Sequence, residues 1–183
     1  PQMRRDSYLN INGRWSYALT KTERMPVEYD GEIIVPFSPE SELSGVGRML
    51  APDEHLWYRR SIILPDSFVS ARVLLHFGAV DQYAEVFFNG ALLGAHSGGY
   101  LPFSFDVTES LRAENELVVH VRDESDTSFH SRGKQKTRRG GIWYTAQSGI
   151  WQTVWMESVP SNFVRTLHIE PLFDESAVSI TVG

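Results

Sequence analysis

Two neighbouring stretches of the sequence combine side chains that could bind a sugar. Residues 124–139 carry five cations against two acids and show no strand pattern. Residues 143–155 hold three of the five tryptophans. Sugars present apolar C–H faces edged by hydroxyl groups, so aromatic rings beside cationic and amide side chains suit them chemically. The combination predicts a carbohydrate-binding surface; the alternative is that the tryptophans anchor a core while the charges form a solvated loop.

Hydrolysis of a glycosidic bond needs two carboxylates that flank the bond at about 5 to 10 Å. The sequence offers several acids in principle, but none stands in a context that pairs an acid with a base. These acids are Asp81, Glu85, Asp106, Asp123, Asp126 and Glu157. We interpret each as a turn or surface acid, and we predict no catalytic residue in this chain.

Other kinds of catalytic or metal site find little support in the sequence. The six histidines form neither a His-x-His pair nor a His-Glu-x-x-His run, which are spacings typical of transition-metal sites. The chain contains no cysteine, which excludes disulfides, thiolate metal sites and a cysteine nucleophile. No loop has the acidic spacing of a calcium site. We therefore predict no metal ion and no cofactor.

Length, composition and charge are those of an ordinary globular protein. The 183 residues suffice for one substantial domain, or for one domain and the first strands of a neighbour. The formal net charge of −6 repels phosphate backbones, so nucleic acid is not an expected partner. No apolar run approaches the roughly 18 to 20 residues that cross a bilayer, and the first residues form no signal peptide. We predict a soluble chain without membrane attachment, and the compartment stays open.

The elements that must position these side chains are short β-strands. Apolar residues alternate in Arg72–Phe77, Tyr83–Phe88 and Leu117–Val121, which predicts strands with one face in a core. Asn89-Gly90 suits a type I′ turn, because both residues tolerate positive φ. Similar patterns predict further strands at residues 57–64, 91–95, 103–107 and 150–157. Short strands at this spacing, with one helical turn near residues 108–111, indicate an all-β sandwich or barrel.

The end of the sequence resumes a strand pattern after a break. Val159-Pro160 interrupts the alternation, which returns at residues 164–170 and 177–182. We predict that residues 1–160 form one domain and that residues 161–183 are the first strands of a second β-sandwich.

Several short motifs follow one another in a specific order along residues 10–159. They are Asn12-Gly-Arg-Trp15, Leu56-Trp-Tyr-Arg-Arg60, Leu75-His-Phe-Gly-Ala-Val80, Ala84-Glu-Val-Phe-Phe-Asn-Gly90, Gly94-Ala-His-Ser-Gly-Gly-Tyr100, Pro102-Phe-Ser-Phe-Asp-Val-Thr108, Asn115-Glu-Leu-Val-Val-His-Val121 and Ser148-Gly-Ile-Trp-Gln-Thr-Val-Trp155. No single motif is decisive. Their succession resembles the N-terminal sugar-binding domain of glycoside hydrolase family 2.

The resemblance implies a fold and a division of labour between domains. The family's first domain is a galactose-binding-like jelly roll, followed by an immunoglobulin-like sandwich and then by a barrel with two catalytic glutamates. Family members include β-galactosidases, β-glucuronidases and β-mannosidases, which hydrolyse β-glycosides with retention of configuration. Both catalytic groups would then lie outside this chain, which alone should be inactive.

In some family members the first domain lends residues to the rim of the active site. By this resemblance, the expected substrate-contacting residues are Asp123, Lys134, Gln135 and Trp143. The chain departs from the β-galactosidase pattern, because it has Gly141 where an acid precedes the tryptophan by two positions. Galactose specificity is therefore not predicted.

The function expected from the resemblance is that of an accessory domain which shapes the substrate cleft and supports the barrel. Its partners would be a β-glycoside and the downstream domains of the same chain. One alternative is an autonomous carbohydrate-binding module that uses the cluster Trp143 to Trp155 as its platform. Others are a purely structural module that makes homo-oligomer contacts, and an enzyme complete within this chain.

Overall fold

A computed structural model describes residues 5–65, 68 and 71–183, and it is built mainly from β-strands. The strands are β1 (Tyr8–Asn10), β2 (Gly13–Thr20), β3 (Gly31–Val35), β4 (His55–Ile62), β5 (Arg72–Phe77), β6 (Val80–Asp81), β7 (Tyr83–Phe88), β8 (Ala91–Ser97), β9 (Phe103–Asp106), β10 (Asn115–Arg122), β11 (Gln135–Lys136), β12 (Tyr144–Thr145), β13 (Gly149–Ile150), β14 (Val154–Val159), β15 (Leu167–Leu172) and β16 (Ala177–Val182).

Helical structure within these ranges is confined to single 3₁₀ turns. They are Glu42–Ser44, Thr108–Ser110, Ser125–Thr127 and Phe173–Glu175. No helix in the described part of the chain is long and apolar enough to span a membrane.

Two sheets form the body of the fold. One has four strands in the order β1-β14-β5-β9, and the other has six in the order β3-β2-β4-β10-β7-β8. Neighbouring strands within both sheets are antiparallel. The arrangement confirms the predicted all-β sandwich.

The core collects alternate residues from both sheets. Val73, Leu75 and Phe77 of β5 are fully buried in the same apolar cluster as Leu117 and Val119 of β10. The residues between them point to the outer faces, as the period of two requires. The predicted alternation is therefore confirmed in both strands, although the outward Val118 and His120 of β10 are also buried, each at 2% exposed.

Most other predicted strands agree with the structure, with two exceptions. The Asn89-Gly90 turn has the expected positive φ at both residues, 52° and 83°. The segment predicted as one strand at 150–157 is two, because β13 pairs with β6 whereas β14 pairs with β1 and β5. Strands β1 to β3 were not predicted at all.

The N-terminal segment closes the four-stranded sheet. Strand β1 pairs with β14, with Tyr8 opposite Glu157. Nη1 of Arg5 donates to both carboxylate oxygens of Glu157, at 2.8 and 3.0 Å, and Nη2 donates to the carbonyl of Val164 at 2.6 Å. Residue 5 therefore holds together the last strand of the sandwich and the segment that follows it.

The C-terminal hairpin, β15 and β16, belongs to neither main sheet. Its apolar side chains are largely exposed, including Ile169 at 58%, Val178 at 58% and Ile180 at 60%. A two-stranded hairpin with uncovered apolar faces is marginally stable at best in water. The hairpin is consistent with the predicted start of a second sandwich, and the boundary at residue 160 stays a prediction.

A second buried cluster lies on the outer face of the six-stranded sheet. Trp57, Ala18 and Val118 form it, and the ring of His120 stacks on Trp57 at a centroid distance of 4.1 Å. His120 is only 2% exposed; its Nε2 lies 2.8 Å from Nδ1 of His55 and its Nδ1 lies 2.8 Å from a carboxylate oxygen of Glu85. Burial lowers the pKa of both histidines.

This histidine pair should make stability depend on pH. The unfolded chain takes up protons first as the pH falls below 6.5, because both folded-state pKa values lie lower. The contribution of the two histidines to the free energy of unfolding is complete above that pH. It is lost on acidification, by up to about 1.4 kcal/mol per pH unit for one group. We expect His120→Gln to flatten the slope of unfolding free energy between about pH 7.5 and about pH 5.5, measured by urea titration.

The exposed His168 supplies the matched control, since His168→Gln removes a histidine without touching this cluster. That variant should keep the wild-type slope. An unchanged slope in His120→Gln would show that the pair does not govern the acid response.

Candidate functional site

All four predicted contact residues lie in one loop, residues 123–148, which connects β10 to β13. Within this 123–148 loop, β11 and β12 pair in parallel, with Gln135 opposite Tyr144. The backbone N–H of Tyr144 donates to the carbonyl of Lys134 at 2.8 Å, and that of Ala146 donates to Lys136 at 3.2 Å. The pairing brings Lys134, Gln135 and Trp143 into one assembly.

Asp123 is the buried base of the loop, with 3% of its surface exposed. One carboxylate oxygen accepts from the backbone N–H of Ser125 at 2.6 Å, and the other accepts from the hydroxyl of Ser148 at 2.7 Å. Asp123 thereby fastens the end of β10 to the start of β13. Burial raises the pKa of this carboxyl, although both hydrogen bonds act in the opposite direction.

The other three residues form the outer part of the assembly. Gln135 accepts from the backbone N–H of Gln147 at 2.6 Å and donates to the Tyr100 hydroxyl at 3.4 Å. Trp143 is half-buried, and the ammonium group of Lys136 lies 4.3 Å from the centre of its ring. Lys134 is exposed and meets the loop only through its backbone. The surface therefore offers an amide, an aromatic ring and a cation together.

Two further acids lie beneath this loop and were missed as site residues. Glu40 accepts from the backbone N–H groups of Leu50 and Ser148, both at 3.1 Å. Asp81 is 5% exposed, and its Oδ1 has no hydrogen-bond partner among the described residues. Burial and the neighbouring charge of Asp123 raise the pKa of Asp81 to about 7, with Gln135 partly offsetting them.

The interpretation of every acid as a turn or surface residue is wrong for three of them. Asp81, Asp123 and Glu157 are buried, with 5%, 3% and 7% of their surface exposed. Glu157 is held by Arg5 and by His76, whose Nε2 lies 3.1 Å away. Because these partners are distant in sequence, no local sequence pattern indicates that Glu157 is buried.

An aromatic wall flanks the buried acids. Trp151 donates from its indole N–H to the carbonyl of Gly99 at 2.7 Å, and its ring meets that of Tyr100 edge-on at 6.3 Å. Any side chain at position 99 would overlap the carboxylate of Asp81. Glycine is therefore required there for the Tyr100 segment to lie against the acids.

A cleft of about 860 Å³ lies elsewhere, on the outer face of the four-stranded sheet. Arg72, Phe105, Trp155 and Arg165 contribute to its walls. Trp155 stacks on His76 at a centroid distance of 4.9 Å. The expected cluster Trp143 to Trp155 is therefore not one platform, because Trp143 belongs to the 123–148 loop and Trp155 to this cleft.

Across residues 5–65, 68 and 71–183, no three His, Asp or Glu side chains come together as ligands for a metal ion. Glu40 and Asp123 are engaged instead by backbone N–H groups and by the hydroxyl of Ser148.

Comparison with known proteins relates the chain to one domain of a glycoside hydrolase family. A family model described as glycosyl hydrolase 2 galactose-binding domain-like matches residues 36–183. A β-galactosidase of Thermoanaerobacter pseudethanolicus is 29% identical over 131 residues, which are 68% of this chain and 17% of that protein. A β-glucuronidase of Formosa agariphila is 31% identical over 121 residues, which are 65% of this chain and 12% of that protein. The chain thus spans less than a fifth of either relative.

Solved structures support the same fold. A β-glucuronidase from an uncultured Clostridium species superposes with a TM-score of 0.73 at 19% identity, covering 99% of this chain and 34% of that one. A β-D-mannosidase from Dictyoglomus thermophilum gives 0.68 at 17% identity, covering 90% of this chain and 24% of that one. At these identities the likeness is one of fold, and it agrees with a galactose-binding-like sandwich.

Proposed function

The chain belongs to glycoside hydrolase family 2, in its galactose-binding-like N-terminal domain, and we propose that it forms one side of the substrate cleft of a retaining β-glycosidase without supplying catalytic groups. In this role it binds part of a β-glycoside through the 123–148 loop and supports a catalytic domain located further along the chain. The relatives named β-galactosidase and β-glucuronidase support this substrate class.

The observation that carries the proposal is the construction of the 123–148 loop. An amide, a tryptophan and a lysine stand at its surface, while the buried Asp123 fixes its base with two hydrogen bonds. This separation of surface contact groups from a buried support suits a binding site. Contact side chains that a rigid scaffold holds in place lose less conformational entropy when a ligand binds. The aromatic and hydrogen-bonding groups match the two kinds of surface that a sugar presents.

The burial of the acids supports a non-catalytic role. A retaining mechanism needs two carboxyl groups on either side of an accessible glycosidic bond. Asp81 and Asp123 are 5% and 3% exposed, and the hydrogen bonds of Asp123 hold it inside the fold. These carboxyl groups organise the loop, and catalysis is left to another part of the enzyme.

The hairpin of β15 and β16 supports continuation into a second sandwich. The apolar side chains of one face are exposed, including Ile169 at 58%, Ile180 at 60% and Val182 at 57%. A second sheet packed against this face would bury these apolar groups. Within this proposal, residues 161–183 are the first strands of that domain.

The first experiment compares hydrolysis of a panel of p-nitrophenyl β-glycosides by this chain and by the longest natural chain that contains it. Turnover by the longer chain alone is expected, and the preferred substrate names the sugar. Turnover by the 183-residue chain would overturn the proposal and return attention to Asp81 and Asp123.

Substitution of Trp143 by alanine in the longer chain tests the contact surface itself. Loss of one aromatic contact with a sugar is expected to raise KM about tenfold, because such contacts contribute roughly 1 to 1.5 kcal/mol. Tyr8→Ala is the control, since Tyr8 is a 41% exposed ring on the edge strand β1, outside the loop. Equal effects on KM from the two variants, or none from Trp143→Ala, would argue against a specific role for Trp143.

A further inference from the structure

The 123–148 loop concentrates positive charge on a domain whose formal net charge is −6. Its five cations are Arg132, Lys134, Lys136, Arg138 and Arg139. The same loop holds only three acids, Asp123, Glu124 and Asp126, so its positive charge is in excess. The same Asp126 oxygen accepts from the backbone N–H and the hydroxyl of Thr137, at 3.0 and 2.9 Å. The main contacts of Asp126 therefore stabilise the loop backbone, and a weaker electrostatic attraction connects it with Lys136.

None of the five cations takes part in an ion pair within the described ranges, where every ion pair involves other residues. Arg132 donates to the carbonyl of Ser128 at 3.2 Å, and Arg139 donates to the hydroxyl of Thr145 at 3.2 Å. These neutral acceptors fix the direction of the side chains but leave their charges uncompensated. A group of uncompensated cations held in place favours an anionic ligand.

Aromatic groups stand among these charges. Lys136 lies over Trp143, and Tyr144 is 68% exposed directly beside it in sequence. The parallel pairing of β11 with β12 keeps these rings next to the cations. A ligand suited to this surface has apolar faces as well as negative groups, which describes a sugar that bears carboxylate or sulfate.

We propose that the 123–148 loop binds an anionic polysaccharide, in which carboxylate or sulfate groups recur along the chain. The inference rests on the proposed role of the loop in carbohydrate binding and specifies its substrate class. One charged sugar requires one or two cations, whereas Lys134, Arg138 and Arg139 extend the exposed charge along the loop. Several charged units of one polymer fit this distribution better than a single charged sugar does.

The charge of the domain favours such a polymer over nucleic acid. Duplex DNA carries one negative charge per about 1.7 Å of its axis, and its binding depends on many phosphate contacts. A net charge of −6 opposes so dense a polyanion. A polysaccharide with at most about one charge per sugar is repelled less and offers more apolar surface for the rings.

The test is isothermal titration calorimetry of the 183-residue chain with polygalacturonate, with κ-carrageenan as a sparsely sulfated polymer without carboxylates, and with neutral galactan. The first two polymers distinguish carboxylate from sulfate as the preferred anion. We expect binding to at least one of them, weakened roughly tenfold between about 50 and about 200 mM salt. The triple variant Lys134→Gln, Arg138→Gln, Arg139→Gln should lose at least about tenfold in affinity for that polymer.

A second triple variant, Arg24→Gln, Arg112→Gln, Arg165→Gln, removes the same charge from exposed positions outside the loop. It should keep the wild-type affinity to within about twofold. Because all six positions are exposed, thermal unfolding should be unchanged in both variants, which verifies that the fold is intact.

Three outcomes would overturn the inference: no binding to either anionic polymer, an equal loss in both triple variants, or tighter binding to a single-stranded RNA of matched charge. Binding of neutral galactan that is unchanged by the loop substitutions would also contradict the inference of an anionic ligand. It would leave the proposed cleft-forming role in place. That role fails by a different result, namely glycoside hydrolysis by this chain alone.

Discussion

Replacement of Gly149 by alanine is expected to destabilise the sandwich by about 3 to 5 kcal/mol, enough to unfold a large fraction of the chain. Gly149 has a φ of +78°, which strains any residue with a Cβ. An added methyl group would overlap the Tyr58 hydroxyl oxygen and lie 3.1 Å from a methyl of Leu56. Both side chains are fully buried, so neither can move freely. Urea unfolding followed by tryptophan fluorescence measures the loss.

A variant at Gly90 distinguishes the effect of backbone strain from that of the close contact at Gly149. Its φ is +83°, but a Cβ there would have no neighbour within 4 Å. Gly90→Ala should therefore cost only about 1 to 2 kcal/mol. The double variant Gly149→Ala, Tyr58→Phe also removes the hydroxyl group. It should recover part of the difference in stability between the two glycine variants. Equal losses at the two glycines would mean that the contact with Tyr58 contributes nothing.

Replacement of Asp81 by asparagine is expected to stabilise the chain by a few kcal/mol at about pH 8 and to change little at about pH 4. The pKa of Asp81 is raised to about 7 in the folded chain, chiefly by burial and then by Asp123, from the ordinary value of 3.8. Between these values the folded state keeps a proton that the unfolded state has lost. Stability contributed by this group is therefore present at low pH and falls as the pH rises towards 7.

Guanidinium unfolding at both pH values, compared between wild type and variant, measures this effect. Subtracting the two curves removes the opposite acid response of the histidine pair, which is common to both proteins. Asp53→Asn is the control, because Asp53 is exposed and lies 2.8 Å from Lys21; the alkaline stabilisation should be absent there. A similar loss of stability at both pH values in Asp81→Asn would contradict the assignment of a raised pKa.

Strand alternation predicted much of the sandwich where only one face of a strand is buried. Strand β5 satisfies this condition, since its inward residues are apolar and Arg72 and His76 face outward. Strand β2 does not, because Trp15 and Ala18 point to opposite faces and are 1% and 2% exposed. A strand covered on both sides loses the contrast between polar and apolar positions. Its existence depends on the second cluster, which no local pattern reveals.

The sequence indicated which segment carries the candidate contact residues, and contact of that segment with a substrate stays a prediction. The internal arrangement of the segment could not be predicted. Composition pointed to the 123–148 loop, and all four expected residues lie in it. The burial of Asp123 depends on Ser148, and the position of Ser148 depends on Glu40, 108 residues earlier. Contacts over such separations form only when the sandwich closes. The same dependence explains why Asp81 could not be distinguished from an ordinary turn acid.

The pairing of β1 with β14 has a consequence for synthesis on the ribosome. Residues 5 and 157, joined by the Arg5–Glu157 ion pair, are separated by 152 positions. The first strand therefore emerges long before its partner exists, whereas the hairpin of β7 and β8 can form from neighbouring residues at once. Until residues 154–159 have emerged, the nascent four-stranded sheet lacks its β14 partner and exposes apolar surface. Chaperone binding and proteolysis should therefore concentrate in that interval of translation.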